Sequence, residues 1–290
     1  MAMQFRATVN GDSVIVAAAL GAGRVVIADM TRQVLLWDVR DVDGPSALEF
    51  SCNGEKLFLG SWDTPTVEVL CWRNRERTQL DAPKGVSRIL SDDDGSFIVL
   101  QARRGRQDII DLASGARTQL KHAHFVSEGF YRSDKNEFWA PSQSKGCVVV
   151  ISLNPIVSEI RQVTDKTIYS IALEPNRRSF AVSDASDLIQ LRDIESGELK
   201  WGWRSPKGAD VGVCAFSRDF RYLALRSVNG GCTFVLDPES GALLRRLDFL
   251  LDDPTIGSKF LLGEGRILDA ETGETSDGVS KVAWWRAIGA

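Results

Sequence analysis

The chain has 290 residues, 43% of them hydrophobic, enough to build one large domain or two ordinary ones. A formal net charge of −4 argues against a protein that coats nucleic acid, because neutralising phosphates needs a dense basic surface, and no apolar run approaches the length of a membrane span. Cys52, Cys71, Cys147, Cys214 and Cys232 are odd in number and lack CxxC spacing, so free thiols in a reducing, cytoplasmic setting are expected.

The opening segment "MAMQFRATVNGDSVIVAAALGAG" lacks the basic n-region of a signal peptide, and its centre, "SVIVAAAL", reads as a strand. "GAG" at 21–23 reads as a strand turn, with no helix after it to hold a phosphate. From there, short aromatic or branched apolar runs recur along the chain: "VVIA", "LFLG", "FIVL", "FWAP", "FAVS", "YLAL" and "FLLG". They begin at Val25, Leu57, Phe97, Phe138, Phe180, Tyr222 and Phe260. A period near 40 residues made only of short strands is the pattern of a propeller blade.

The punctuation between these anchors repeats too. A polar turn precedes most of them: "SCNGE" at 51–55, "SDDDGS" at 91–96, "RSDKNE" at 132–137, "EPNRRS" at 174–179 and "SRDFR" at 217–221. After them comes a second phrase, Asp111 to Gly115, Asp193 to Gly197, Asp237 to Gly241 and Asp269 to Gly273, each running acid, two residues, Ser or Thr, glycine. Asp and Ser side chains bond the turn backbone and Gly supplies a positive φ, so the phrase predicts a hairpin turn. With the strands of a blade lettered A to D, the first kind of turn joins A to B and the second joins C to D.

In this pattern the chain resembles the WD-repeat family of β-propellers. "VLLWDV" at 34–39 carries the tryptophan-aspartate ending in Trp37 and Asp38, and "IQLRDIESGE" and "CTFVLDPESGA" keep the aspartate. No Gly-His dipeptide precedes an inner strand, and with only His122 and His124 present the family's repeated histidine tetrad cannot form. The resemblance implies an all-β fold, a single β-propeller spanning residues 1–290. Seven four-stranded antiparallel blades are expected, with six as the alternative. The first unit, short by several residues, is expected to have little or no outer strand. The ring is expected to close by pairing of N- and C-terminal strands, either "MQFRATV" at 3–9 or "KVAWWRA" at 281–287 completing the terminal blade.

The B–C and D–A loops share one predicted face and vary in sequence, which is where a rigid scaffold leaves room for function. Lys84, Arg103, Arg104, Arg106, His122, His124 and Lys145 fall on these loops in the second to fourth blades; Asp165, Asp184, Asp187, Asp210, Asp252 and Asp253 fall further round. Arginine forks match carboxylates, so the basic sector suits an acidic peptide. Trp62, beside Asp63, adds an exposed indole of the kind that anchors interfaces. "WGW" at 201–203 places two rings on one side of an outer strand, and Trp37, Trp72 and Trp139 lie in strand patterns.

His122 and His124 at i and i+2 supply half a metal site, but no further ligand is spaced to complete it, so no metal or other cofactor is expected. No GxSxG elbow, HExxH helix or nucleophile tied to a base is present. The leading expectation is a non-enzymatic scaffold that binds a protein or acidic peptide on its loop face. Two alternatives stay open: an enzyme or small-molecule receptor with its site at the mouth of the central channel, and a structural subunit of a larger assembly.

Overall fold

Strand-length apolar runs separated by tight turns pair most readily with their immediate neighbours, because short loops cost the least closure entropy. The computed structural model shows that arrangement throughout. It describes residues 4–277 apart from 11–12, 21–22, 30, 121–126, 128, 208, 210, 218–219, 228, 251–259, 264–265 and 270–274.

The first sheet comprises β1 (Gln4–Asn10), β2 (Ser13–Ala19), β3 (Val25–Asp29) and β4 (Val34–Val39). The second comprises β5 (Pro45–Phe50), β6 (Lys56–Ser61), β7 (Thr66–Cys71) and β8 (Glu76–Asp81). The third comprises β9 (Arg88–Ser91), β10 (Phe97–Gln101), β11 (Gln107–Asp111) and β12 (Arg117–Leu120). The fourth holds β13 (Phe130–Arg132), β14 (Glu137–Pro141), β15 (Cys147–Leu153) and β16 (Ile156–Gln162). In the fifth are β17 (Ile168–Leu173), β18 (Ser179–Asp184), β19 (Leu188–Asp193) and β20 (Leu199–Arg204). In the sixth are β21 (Val211–Phe216), β22 (Leu223–Ser227), β23 (Cys232–Leu236) and β24 (Leu243–Leu247). A last sheet has three described strands, β25 (Phe260–Gly263), β26 (Arg266–Asp269) and β27 (Thr275–Asp277).

Every strand is antiparallel to its neighbour and spatial order follows chain order, so the fold is all-β, a single β-propeller. Among the described residues six blades are complete, the count given as the alternative to seven; the last anchor, Phe260, opens the three-stranded sheet. The first blade also corrects the sequence reading. It has all four strands, and Val25 opens its third strand rather than its second. The true B strand is β2, whose alanines lack the bulky anchor signature. The described part of "MQFRATV", from Gln4 on, is the A strand of this same blade, with Asn10 opposite Ser13. "KVAWWRA" lies outside the described residues.

The chain divides into two compact units, the first holding β1–β12 and the second β13–β27. Within each, middle strands are buried and fourth strands exposed: β3 is buried throughout, whereas β8 ("ERTQLD") is almost wholly exposed. In the first unit Ile15, Ile27, Leu57 and Leu70 form one core between the first and second sheets, and Phe58, Val86, Ile98 and Ile110 form another between the second and third. In the second unit Trp139 stacks on Phe130 with ring centroids 5.9 Å apart and meets Phe180 at 5.6 Å. The two rings of "WGW" are consumed by packing between the fifth and sixth sheets. Trp203 tilts against Phe234, and Trp201 donates its indole N–H to the Pro238 carbonyl over 2.9 Å. Burying such a side chain is worth roughly 1.5–3 kcal/mol.

The acid-to-glycine phrase behaves as its chemistry predicts. Asp193 accepts the N–H groups of Glu195 and Ser196 at 3.0 and 2.9 Å and the Ser196 hydroxyl, while Gly197 sits at φ 73°. Asp111 and Asp237 repeat the arrangement. These bonds hold all three carboxyls below the usual carboxylate range, the Ser114 hydroxyl being the main cause at Asp111 and the backbone N–H groups of Ser196 and Ser240 at the other two. The fourth phrase, after Asp269, lies outside the described residues. The A–B turns share a signature of their own: one residue near the end of the turn is left-handed in five blades, as Gly54, Gly95, Asn136, Arg177 and Phe220. Among the described residues Cys52, Cys71, Cys147 and Cys232 are free thiols.

Candidate functional site

In the first unit three loops meet on the B–C and D–A side. Ser61, the last residue of β6, is buried and uses its hydroxyl to accept the N–H groups of Asp63 and Thr64 at 3.1 and 3.2 Å. That cap fixes the B–C loop and sets Trp62 outward, 42% exposed. The D–A loop that follows is pinned at its end, where the Val86 N–H bonds the Ser61 carbonyl at 3.0 Å and the Ser46 hydroxyl donates to the Val86 carbonyl at 2.5 Å. In the next blade, residues Arg103–Gly105 form a single 3₁₀ turn closed by the Arg106 N–H on the Arg103 carbonyl at 3.4 Å, and the Ala102 N–H bonds the Arg106 carbonyl across the loop at 2.8 Å.

Arg103 leaves this turn and crosses the neighbouring loops. Its guanidinium carbon lies 4.3 Å from the centre of the Trp62 ring. Its aliphatic stem passes over Gly85, where an added Cβ would stand 2.3 Å from Cγ and 2.7 Å from Cδ. Gly85 also has φ 80°, so both the backbone and the crossing arginine require glycine there. A guanidinium over the face of an indole is held by the ring quadrupole, so the pair offers an apolar ring beside a planar donor fork. Lys84, next to Gly85, is exposed and adds a second cation to the same loop.

The remaining predicted residues separate. Asp63 is exposed beside Trp62. Arg104 belongs to the 3₁₀ turn. Arg106 is occupied elsewhere: it donates to the fully buried Asp108 at 3.1 Å, and Arg117 approaches the other carboxylate oxygen at 3.3 Å. Its charge holds the blade together rather than facing a partner. Lys145 is exposed on a B–C loop of the second unit, where its carbonyl accepts the Gln162 side-chain amide at 3.3 Å. His122 and His124 lie outside the described residues. In the acidic sector Asp184 is buried and engaged, accepting from Ser186 at 2.9 Å and from Gln190 at 3.1 Å, so it is a loop cap. Sequence reasoning missed Gly85; the signal was a glycine directly after Lys84 in a loop facing "ARRGR".

No group of three or more His, Cys, Asp or Glu capable of holding a metal occurs among the described residues. Nor is any helix among them long and apolar enough to cross a membrane.

No protein-family model matches the chain, and no curated protein matches it. Among solved structures, the fold is similar to the β-propeller domain of Cps50 (Swd1) from Myceliophteria thermophila, with a TM-score of 0.73 and 15% identity over 96% of this chain and 98% of that one. It is also similar to hydrazine synthase of Kuenenia stuttgartiensis, with a TM-score of 0.63 and 12% identity over 93% of each chain. At these identities the likeness concerns the fold, a β-propeller in keeping with the degenerate WD-like repeat of the sequence.

Proposed function

We propose that this β-propeller is a protein-interaction scaffold that binds an acidic segment of a partner protein on the loop face around Trp62 and Arg103. The observation that carries the reading is the stacked pair itself: an exposed indole roofed by an exposed arginine, both placed by capped loops and by a glycine that leaves room for the crossing. Tryptophan and arginine are enriched among the residues that dominate interface energetics, and ordering a long side chain before binding removes part of its entropic cost. Here the arginine is ordered before a partner arrives. A carboxylate meeting the fork edge of Arg103, with Lys84 nearby and an apolar side chain on Trp62, satisfies all three groups.

The test is affinity purification of the tagged protein from its own cells beside Arg103→Glu and Trp62→Ala variants. Arg106 stays unchanged, since reversing its charge would expose Asp108 and confound binding with folding. A partner retained by the native protein and absent from both variants, at unchanged melting temperature, supports the reading. Equal recovery with all three rejects this surface.

A further inference from the structure

The fourth strand of each complete blade is an edge strand, and an edge leaves a row of main-chain N–H and C=O groups as a template for another chain unless it is blunted. β4, β20 and β24 are blunted by register shifts against the strands they pair with. β12 is only four residues long, and β8 carries no exposed large apolar side chain. β16 differs from all of these. It runs seven residues, pairs with β15 at every position from Ile156 to Gln162 without a bulge, and exposes Val157 at 52% and Ile160 at 47%.

Two bonds near the ends of β16 fix the direction of its main-chain groups. The Val163 N–H bonds the Gly146 carbonyl at 2.8 Å, so by alternation Val157, Glu159 and Arg161 turn their groups inward to β15. The Leu153 N–H bonds the Asn136 carbonyl at 3.1 Å, away from β16, so Ile156, which stands opposite Leu153, belongs to the other parity. Ile160 therefore sends its N–H and C=O to the outer edge. A second β16 laid antiparallel with its own Ile160 opposite would exchange two hydrogen bonds there, as a two-fold axis permits.

The side chains select the same register. With Ile160 on the axis, Glu159 lies opposite Arg161 of the second copy, and symmetry repeats that pair on the other side. The two side chains stand on one face of the strand, 55% and 43% exposed, and Arg161 donates to Glu159 within the chain. Arg161 is also steadied by Trp139, its guanidinium carbon 5.0 Å from the ring centre. Across the ladder each charge gains a second opposite charge, an arrangement that stabilises paired strands. An axis at Glu159 or at Arg161 would instead set two like charges face to face, which destabilises them.

We infer that β16 is a self-association edge: two copies of the chain pair antiparallel through this strand about a two-fold axis at Ile160, with Glu159 and Arg161 crossing to each other. An edge of seven residues falls short of the ~1,200 Å² at which standard interfaces begin, so the dimer is weak and concentration-dependent. The inference concerns a different surface from the Trp62 pair and stands independently of it.

The experiment is sedimentation velocity of the full-length protein over about 1 to 500 µM, beside Glu159→Arg, Arg161→Glu, the double swap and Ile160→Lys. Each variant changes only exposed side chains, and melting temperatures check that each one folds. The native protein should shift from monomer to dimer as concentration rises, and Ile160→Lys, which sets two cations on the axis, should stay monomeric. Glu159→Arg leaves only cations on this face and Arg161→Glu only anions, so each alone should associate at least about tenfold more weakly. An equimolar mixture of these two variants, or the double swap by itself, should recover the native shift. The Ile160 amide should also exchange hydrogen more slowly at high than at low concentration, because its N–H is bonded across the axis. A native protein that stays monomeric over the whole range, a dimer that survives Ile160→Lys, or a mixture that fails to restore association would each overturn the assignment.

Discussion

Replacing Gly85 by alanine perturbs the loop face through two separable effects. The first is local: an L-residue at φ 80° costs about 1–2 kcal/mol. The second reaches across blades, since the new Cβ would stand 2.3 Å from Arg103 Cγ and must push the arginine off its path. Losing an exposed guanidinium–indole contact costs about 0.5–1 kcal/mol. Only the second effect depends on the arginine, so a double-mutant cycle isolates it. Gly85→Ala should destabilise by about 1.5–3 kcal/mol in the native background and by about 1–2 kcal/mol when Arg103 is already alanine. Denaturant unfolding at matched m-values measures both. A Gly85→Ala cost equal in the two backgrounds would refute the claim that Arg103 rests on Gly85 and Trp62 in solution.

Arg103 and Arg106 should behave oppositely although both belong to one basic loop. Arg106→Ala should lower stability by about 1.5–3 kcal/mol, because a charge-assisted bond to the buried Asp108 is lost, whereas Arg103→Ala should change stability by less than about 1 kcal/mol; thermal melts of the two variants decide it. Truncating the buried Trp139 to alanine removes its stack with Phe130 and Phe180 and should cost about 3–5 kcal/mol, read by denaturant unfolding. The turn carboxyls Asp193 and Asp237 have folded pKa values below their unfolded ones, so their contribution is present above about pH 3.9 and is lost as pH falls through the folded values. Asparagine at both positions should flatten stability across that acid range in pH-dependent melts. Asp92 has the opposite sign, because burial raises its carboxyl: its contribution is present below about pH 3.9 and is lost as pH rises through the folded value. Asp92→Asn keeps an acceptor for the Phe97 N–H and should therefore gain stability relative to the native protein at neutral pH, a gain that disappears in melts at acid pH.

The blade repeat was legible in the chain because its signals are local. An aspartate two or three residues before the N–H groups it accepts, a serine and a glycine define a hairpin whatever surrounds it, and the same holds for the polar A–B turns. Buried middle strands announce themselves by apolar runs. That logic slipped at the first blade, where "SVIVAAA" buries alanines and "VVIA" imitates an anchor; the Asn10-Gly11 pair before Ser13 was the turn signal that marked the B strand.

What a side chain does once it leaves its own strand was decided by tertiary structure. The sequence "ARRGR" presents equivalent cations, yet Arg103 crosses two loops to lie on Trp62 while Arg106 turns back to a buried carboxylate two residues away. Trp201 bonds a carbonyl 37 residues distant, and Arg132 pairs with an acid 63 residues distant. These outcomes depend on which loops the pairing of separate blades brings within a few ångströms, a quantity set by sheet packing and twist. Turn chemistry acts over three or four residues and is therefore written in the sequence, whereas charge pairing and stacking act across space, and only the folded chain chooses their partners.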